Sequence, residues 1–182
     1  RIPVSAASVL AKKNFIVRIE DNDMKLQKLN DTLLINNRVW PVHLSFPPLT
    51  QGYDGTGVVM GIIDEGIDLV TPDFKDLSGN TRIKFLWDQK INGDPGGITP
   101  LPYGYGTEWN AVAINNGSAS AHHDGPYGHG TIVAGIAAGN GFAVNNYKGV
   151  APGADIIAVS MDLNVPDNIF LSSLVDAVSF IF

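Results

Sequence analysis

The sequence contains no cysteine, which removes disulfide scaffolds, thiolate nucleophiles and cysteine-based zinc sites together. It leaves the compartment open, because exported bacterial proteins also avoid the residue. No apolar run approaches the roughly 20 residues that cross a bilayer. The opening Arg1-Ile2-Pro3 has neither an initiator methionine nor a signal-peptide pattern, so a start that is either processed or set by the choice of segment is expected. Twelve Lys and Arg face 18 Asp and Glu, for a formal charge of -6, and the basic residues form no cluster. Without a basic patch, neither nucleic acid nor an anionic membrane is an expected partner. What is present is 182 residues, 45% apolar and 16% charged, a balance that supports a buried core and argues against wholesale disorder.

Three zones follow one another. In residues 1–50, Asn14-Phe15-Ile16-Val17-Arg18-Ile19 and Asp31-Thr32-Leu33-Leu34-Ile35 each read as a short strand. Pro47-Pro48 and Gly52, Gly55 and Gly57 then mark a break. Val58-Val59-Met60-Gly61-Ile62-Ile63 is a continuous apolar run ended by Asp64-Glu65-Gly66, the pattern of a strand buried on both faces and followed by a turn. Residues 88–128 are rich in Gly, Pro, Asn and Asp and predict a long surface excursion, with a short strand over 109–114. Trp87, in Phe85-Leu86-Trp87-Asp88-Gln89, is expected as a core aromatic on a strand.

The third zone opens with Gly128-His129-Gly130-Thr131 and continues through Ile132-Val133-Ala134-Gly135-Ile136-Ala137-Ala138. Apolar on every face and built from small residues, this predicts a buried helix whose glycines and alanines admit close backbone approach. Gly139-Asn140-Gly141 stops it, Ala154-Asp155-Ile156-Ile157-Ala158-Val159-Ser160 supplies another buried strand, and 171–182 an apolar helix. Strand, helix, strand, helix predicts an α/β fold with a parallel sheet.

In such sheets reacting groups gather at the carboxyl ends of the strands, and Asp64 stands at one, with Gly66 two residues later for a tight exit. It reads equally as a residue capping the next turn. His129 stands between two glycines where a helix begins, so its ring can face a cleft while the apolar residues behind it anchor the backbone.

The segment GIIDEGID at 61–68 resembles the catalytic-aspartate segment of the subtilases, GHGTIVAGIAAG at 128–139 is similar to their catalytic-histidine segment, and Gly149-Val150-Ala151-Pro152-Gly153-Ala154 resembles the turn into their next strand. The three stand in the family's order over residues 52–182. The resemblance implies a doubly wound parallel subtilisin-like sheet flanked by helices, incomplete in this chain. It implies a serine endopeptidase in which Asp64 orients His129 and His129 acts as general base and then general acid. Residues 1–50 are then an N-terminal extension or propeptide remnant, and 51–182 the N-terminal part of the peptidase domain.

The pattern also departs from the family. None of the ten serines stands in the Gly-Thr-Ser-Met context of the family's nucleophile, and its oxyanion-hole asparagine comes later than Phe182. The chain is therefore expected to be a fragment, inactive alone, whose partners are a polypeptide substrate and the C-terminal part of the same domain. Glu65 replaces the usual Thr or Ser after the aspartate; it either repels Asp64 or points into solvent. Ile132 replaces a second histidine of the family and suits a helix interior.

Further residues carry weaker expectations. By resemblance, Leu163, Asn164 and Val165, within a stretch at 163–168, pair main chain to main chain with the substrate, with Pro166 removing one donor. Asp73, in Thr71-Pro72-Asp73-Phe74, matches an aspartate that in many subtilases binds a structural calcium ion with carbonyls of 140–145, against the alternative that it only stabilises a turn. No cofactor is required for catalysis. His122-His123-Asp124 with His129 reads either as a metal-binding cluster or as a solvated loop. The rival functions are a non-catalytic subtilase-like binding or regulatory module and a metal-dependent hydrolase using His122, His123 and His129. Family resemblance places the protein outside the cell or in its envelope.

Overall fold

The structure is a computed structural model that describes residues 29–182 and Lys12. The strand expected at 14–19 lies outside the described residues. That expected at 31–35 is instead part of a helix, α1 (Leu29–Asn36), followed by α2 (Val39–His43). A short apolar run does not by itself distinguish strand from helix. Of its residues Leu34 is buried and Ile35 exposed. With no strand beside it among the described residues, the segment satisfies its backbone internally, and both the amide and the side chain of Asn37 close its end on the Leu33 carbonyl, each at 3.0 Å.

The core of the fold is a four-stranded sheet of β1 (Val59–Asp64), β2 (Ile83–Asp88), β3 (Thr107–Asn110) and β4 (Asp155–Ser160), in the order β1-β4-β2-β3. β4 runs parallel to both β1 and β2, and β3 is antiparallel to β2. Two long helices flank it, α4 (His129–Ala138) and α5 (Asp167–Ile181); a short α3 (Ala111–Asn115) follows β3. The architecture is thus α/β and mostly parallel, as expected. Among the described residues no helix is long and apolar enough to cross a membrane.

Strand alternation sorts the core into two layers. Ile62, Leu86, Ile156 and Ala158 pack with Ala134 and Ala138 of α4, while Trp87 and Val159 pack with Ala177 of α5. Trp87 is fully buried, stacked on Tyr103 at 4.7 Å and in contact with Phe180 at 5.1 Å between ring centres. Each such large buried side chain contributes about 1.5–3 kcal/mol.

Several sequence expectations shift. β1 has β4 as its only neighbour among the described residues, so Val59 and Gly61 are exposed rather than buried on both faces. Helix α4 buries Gly130, Ala134 and Ala138 but exposes Ile132 and Val133, because only one side of it meets the sheet. Helix α5 starts at Asp167, four residues before the predicted start, where Pro166 supplies an extended entry and Asp167 a negative charge in the first turn. The excursion at 88–128 is only partly superficial. Its strand ends at Asn110, whose side chain accepts the Ala113 amide to start α3, and Trp109, Ile114, Ala119 and His122 are buried.

Candidate active site

The last residues of three strands lie in register, Asp64 beside Ser160 and Ser160 beside Asp88. In parallel strands such neighbours share a face. Asp64 and Asp88 each lie two residues beyond one that packs on α4, Ile62 and Leu86 respectively, so this polar row faces α4. That helix begins at His129, preceded by Gly128 at φ 63 in the left-handed region. The topology therefore carries two residues 65 positions apart to one place.

There, His129 Nδ1 stands 2.9 Å from Asp64 Oδ1 and 3.0 Å from Oδ2. The histidine side chain is 65% exposed and the aspartate 11%. Asp64 Oδ1 also accepts the Glu65 amide at 2.8 Å. Nε2 of His129 has no hydrogen-bond partner among the described residues. The protonated ring is favoured, so the His129 pKa is raised above its ordinary 6.5, first by the hydrogen bond to Asp64, then by that carboxylate's charge, with Glu65 and Asp124 adding to it; desolvation opposes them. This arrangement holds a proton on Nδ1 and leaves Nε2 free to exchange one.

Glu65 is half-buried and does not simply point into solvent: its carboxylate lies where a side chain on Gly125 would go. Asp124, expected in either a metal cluster or a solvated loop, does something else. Its Oδ2 accepts from the amide and hydroxyl of Thr131. Because Gly128 offers no side chain as a cap, a carboxylate from four residues earlier takes that role at the start of α4. Thr131 in turn holds the Asp68 amide at 2.7 Å.

The metal-cluster expectation for His122, His123 and His129 is overturned. Among the described residues no three His, Asp or Glu side chains converge to hold an ion. His123 is exposed, and His122 is buried with its Nδ1 at 2.6 Å from Asp88 Oδ2. Both members of that pair have side chains only 1% exposed. The solvated-loop alternative also fails for His122. Sequence reasoning gave Asp88 no role; its only signal was a carboxylate at the end of an apolar strand, the same signal as at Asp64.

Asp73 lies within a 3-10 turn (Pro72–Phe74), and its Oδ1 accepts the Ala143 amide at 2.7 Å. Its carbonyl accepts from Asn140 and Arg82. The carboxylate is thus engaged with a backbone donor of the same 140–145 loop whose carbonyls the resemblance names as calcium ligands, and among the described residues no three His, Asp or Glu side chains gather there. Leu163, Asn164 and Val165 follow β4 in a loop, the first two exposed; Asp167 and Asn168, at the end of the predicted substrate stretch, are helical. Ser160, fully buried, donates its hydroxyl to the Glu65 carbonyl at 2.6 Å.

The profile of the subtilase family matches residues 55–179. Among solved structures, that of the Clostridium perfringens CspB protease is similar with a TM-score of 0.57 and 27% identity, over 79% of this chain and 28% of that one. The chain thus spans little more than a quarter of that protease's length.

Proposed function

The chain belongs to the subtilase family, and from that premise we propose that it carries the base and the orienting carboxylate of a serine-type endopeptidase acting on polypeptides. The observation that supports this most is the contact of His129 Nδ1 with both oxygens of Asp64, inside the stretch that the family matches. With Asp64 accepting the Nδ1 proton, Nε2 is the basic nitrogen. It takes the proton of a serine hydroxyl as that oxygen attacks the scissile carbonyl, then gives it to the leaving amine as the C–N bond breaks and the acyl-enzyme forms. Water releases the acyl group by the same exchange.

The nucleophile and the oxyanion donor are assigned to a C-terminal part of the same domain, since none of the ten serines stands in the family's nucleophile context and Ser160, beside Asp64, is buried with its hydroxyl engaged. Leu163, Asn164 and Val165 are the candidates for main-chain contact with substrate, supported by their place in the loop after β4, where the Met161 amide bonds the Asp64 carbonyl at 2.8 Å. Residues 29–50 are read as an extension of the domain, supported by the contact of His43 Nε2 with the Val150 carbonyl at 2.8 Å. The proposed location, outside the cell or in its envelope, is supported by the family resemblance alone, and cell fractionation tests it.

The function is tested with a fluorophosphonate probe on the full-length gene product. We expect labelling of a serine outside these 182 residues, lost in His129→Ala. A full-length protein that stays unlabelled yet binds peptides would make it a non-catalytic binding module instead.

A further inference from the structure

The buried Asp88–His122 pair is not used by the chemistry above, and its connections lead back to it. Asp88 divides its carboxylate: Oδ2 meets His122 Nδ1 at 2.6 Å, and Oδ1 accepts the Lys90 amide at 2.9 Å. The far nitrogen of His122, Nε2, lies 3.3 Å from the amide nitrogen of Ile67 and 3.1 Å from its carbonyl oxygen. Lys90 extends its ammonium to the Glu65 carbonyl at 2.5 Å, the oxygen that Ser160 also holds. Both arms of Asp88 therefore end on residues 65–67, the turn that leaves Asp64. The middle residue of that turn, Gly66, touches the second residue of α4: a Cβ on Gly130 would overlap the Gly66 carbonyl and stand 3.0 Å from Asp64 Cβ.

We propose that Asp88 and His122 are positioning residues for the Asp64–His129 pair, fixing through Ile67 and Glu65 the height at which Asp64 meets His129. The inference rests on the function proposed above only in its kinetic consequences. A buried imidazole between a carboxylate and a backbone amide has little freedom, since each unmade bond there leaves a desolvated polar group. Trp109, its ring centre 6.5 Å from that of His122, closes the far side. The turn after Asp64 is thus tied to the ends of β2 and β4 rather than to solvent, and Asp64 presents both oxygens to His129.

The test compares His122→Asn and His122→Gln in the full-length protein. The amide of Asn reproduces the Nδ1 position beside Asp88 but does not reach Ile67, whereas that of Gln reaches the Nε2 position. Neither changes the charge of Asp88. With Asn, the NMR titration midpoint of His129 is expected to fall by about half a pH unit as Asp64 draws back. kcat is expected to drop about tenfold with KM little changed. Gln is expected to restore much of both. Equal loss of thermal stability in the two variants, with an unaltered His129 midpoint and kcat, would overturn the proposal. If neither variant folds, the wild type decides: His122 must carry its proton on Nδ1 and the Ile67 amide must be protected from exchange, and an unprotonated Nδ1 overturns it. A protein without peptidase activity would sink the function while the His129 titration still answers for the positioning pair.

Discussion

Gly130 lies so close to Gly66 that a single methyl group on its Cα would overlap the Gly66 carbonyl oxygen. The first turn of α4 and the turn after β1 are therefore in backbone contact, and the distance between His129 and Asp64 is set by main chain rather than by side-chain reach.

Gly130→Ala forces those two turns apart. Overpacking at such a contact costs about 1–3 kcal/mol. Chemical denaturation should show that loss, and the raised titration midpoint of His129 should move back toward its ordinary value, because the contact with Asp64 lengthens.

Asp64→Asn keeps the shape of the side chain but turns one of the two oxygens that meet Nδ1 into an NH2 donor and removes the negative charge. In the full-length enzyme a fall in kcat of about 10³–10⁴-fold is expected, with little change in fold, as read by burst-titrated turnover and circular dichroism.

The pH dependence has a definite sign. Because the folded His129 pKa is raised above 6.5, first by its hydrogen bond to Asp64, the stability drawn from the pair is fully present below pH 6.5 and is lost as pH rises through the higher folded value. Activity runs the opposite way, since only the neutral ring accepts the serine proton. The acid limb of kcat/KM should follow the raised value, and in Asp64→Asn the residual activity should show that limb at lower pH.

Arg82 is buried, and its guanidinium donates to the carbonyls of Asp73, Ala138 and Ala154. It joins the end of α4, the turn at Asp73 and the entry to β4, and burial lowers its pKa. Arg82→Leu takes this donor from the Ala138 and Ala154 carbonyls, leaves Asp73 only the Asn140 amide, and should cost about 2 kcal/mol or more. Arg82→Lys should recover only part of that, because one ammonium does not reproduce the fork. Urea denaturation measures both.

Asp73→Asn keeps an oxygen acceptor for the Ala143 amide. Its stability should stay within about 0.5 kcal/mol of wild type, and the melting temperature of either protein should not respond to a chelator. A calcium-dependent melting temperature abolished by the substitution would restore the ion.

Local pattern carried much of this protein. The apolar run before Asp64, the small-residue helix after His129 and the glycine that stops it are consequences of neighbouring residues, and the sheet and α4 follow them closely. Asp31-Thr32-Leu33-Leu34-Ile35 failed as a strand because five residues do not decide between two backbone conformations without knowing what lies beside them. His122 was misread because its surroundings in sequence are polar while its surroundings in space are Asp88, Ile67 and Trp109.

The sequence by itself determined the family and singled out Asp64 and His129 as the candidate pair, because motif residues declare their chemistry through their immediate neighbours. Only the tertiary structure decided that His129 Nδ1 meets both Asp64 oxygens, that Asp124 caps α4, and that Asp88 pairs with His122 beneath the turn. The first is a loop carboxylate folding back on the helix start seven residues later, the second a buried pair 34 residues apart that forms once β2 is in place. Neither leaves a periodic trace in the chain.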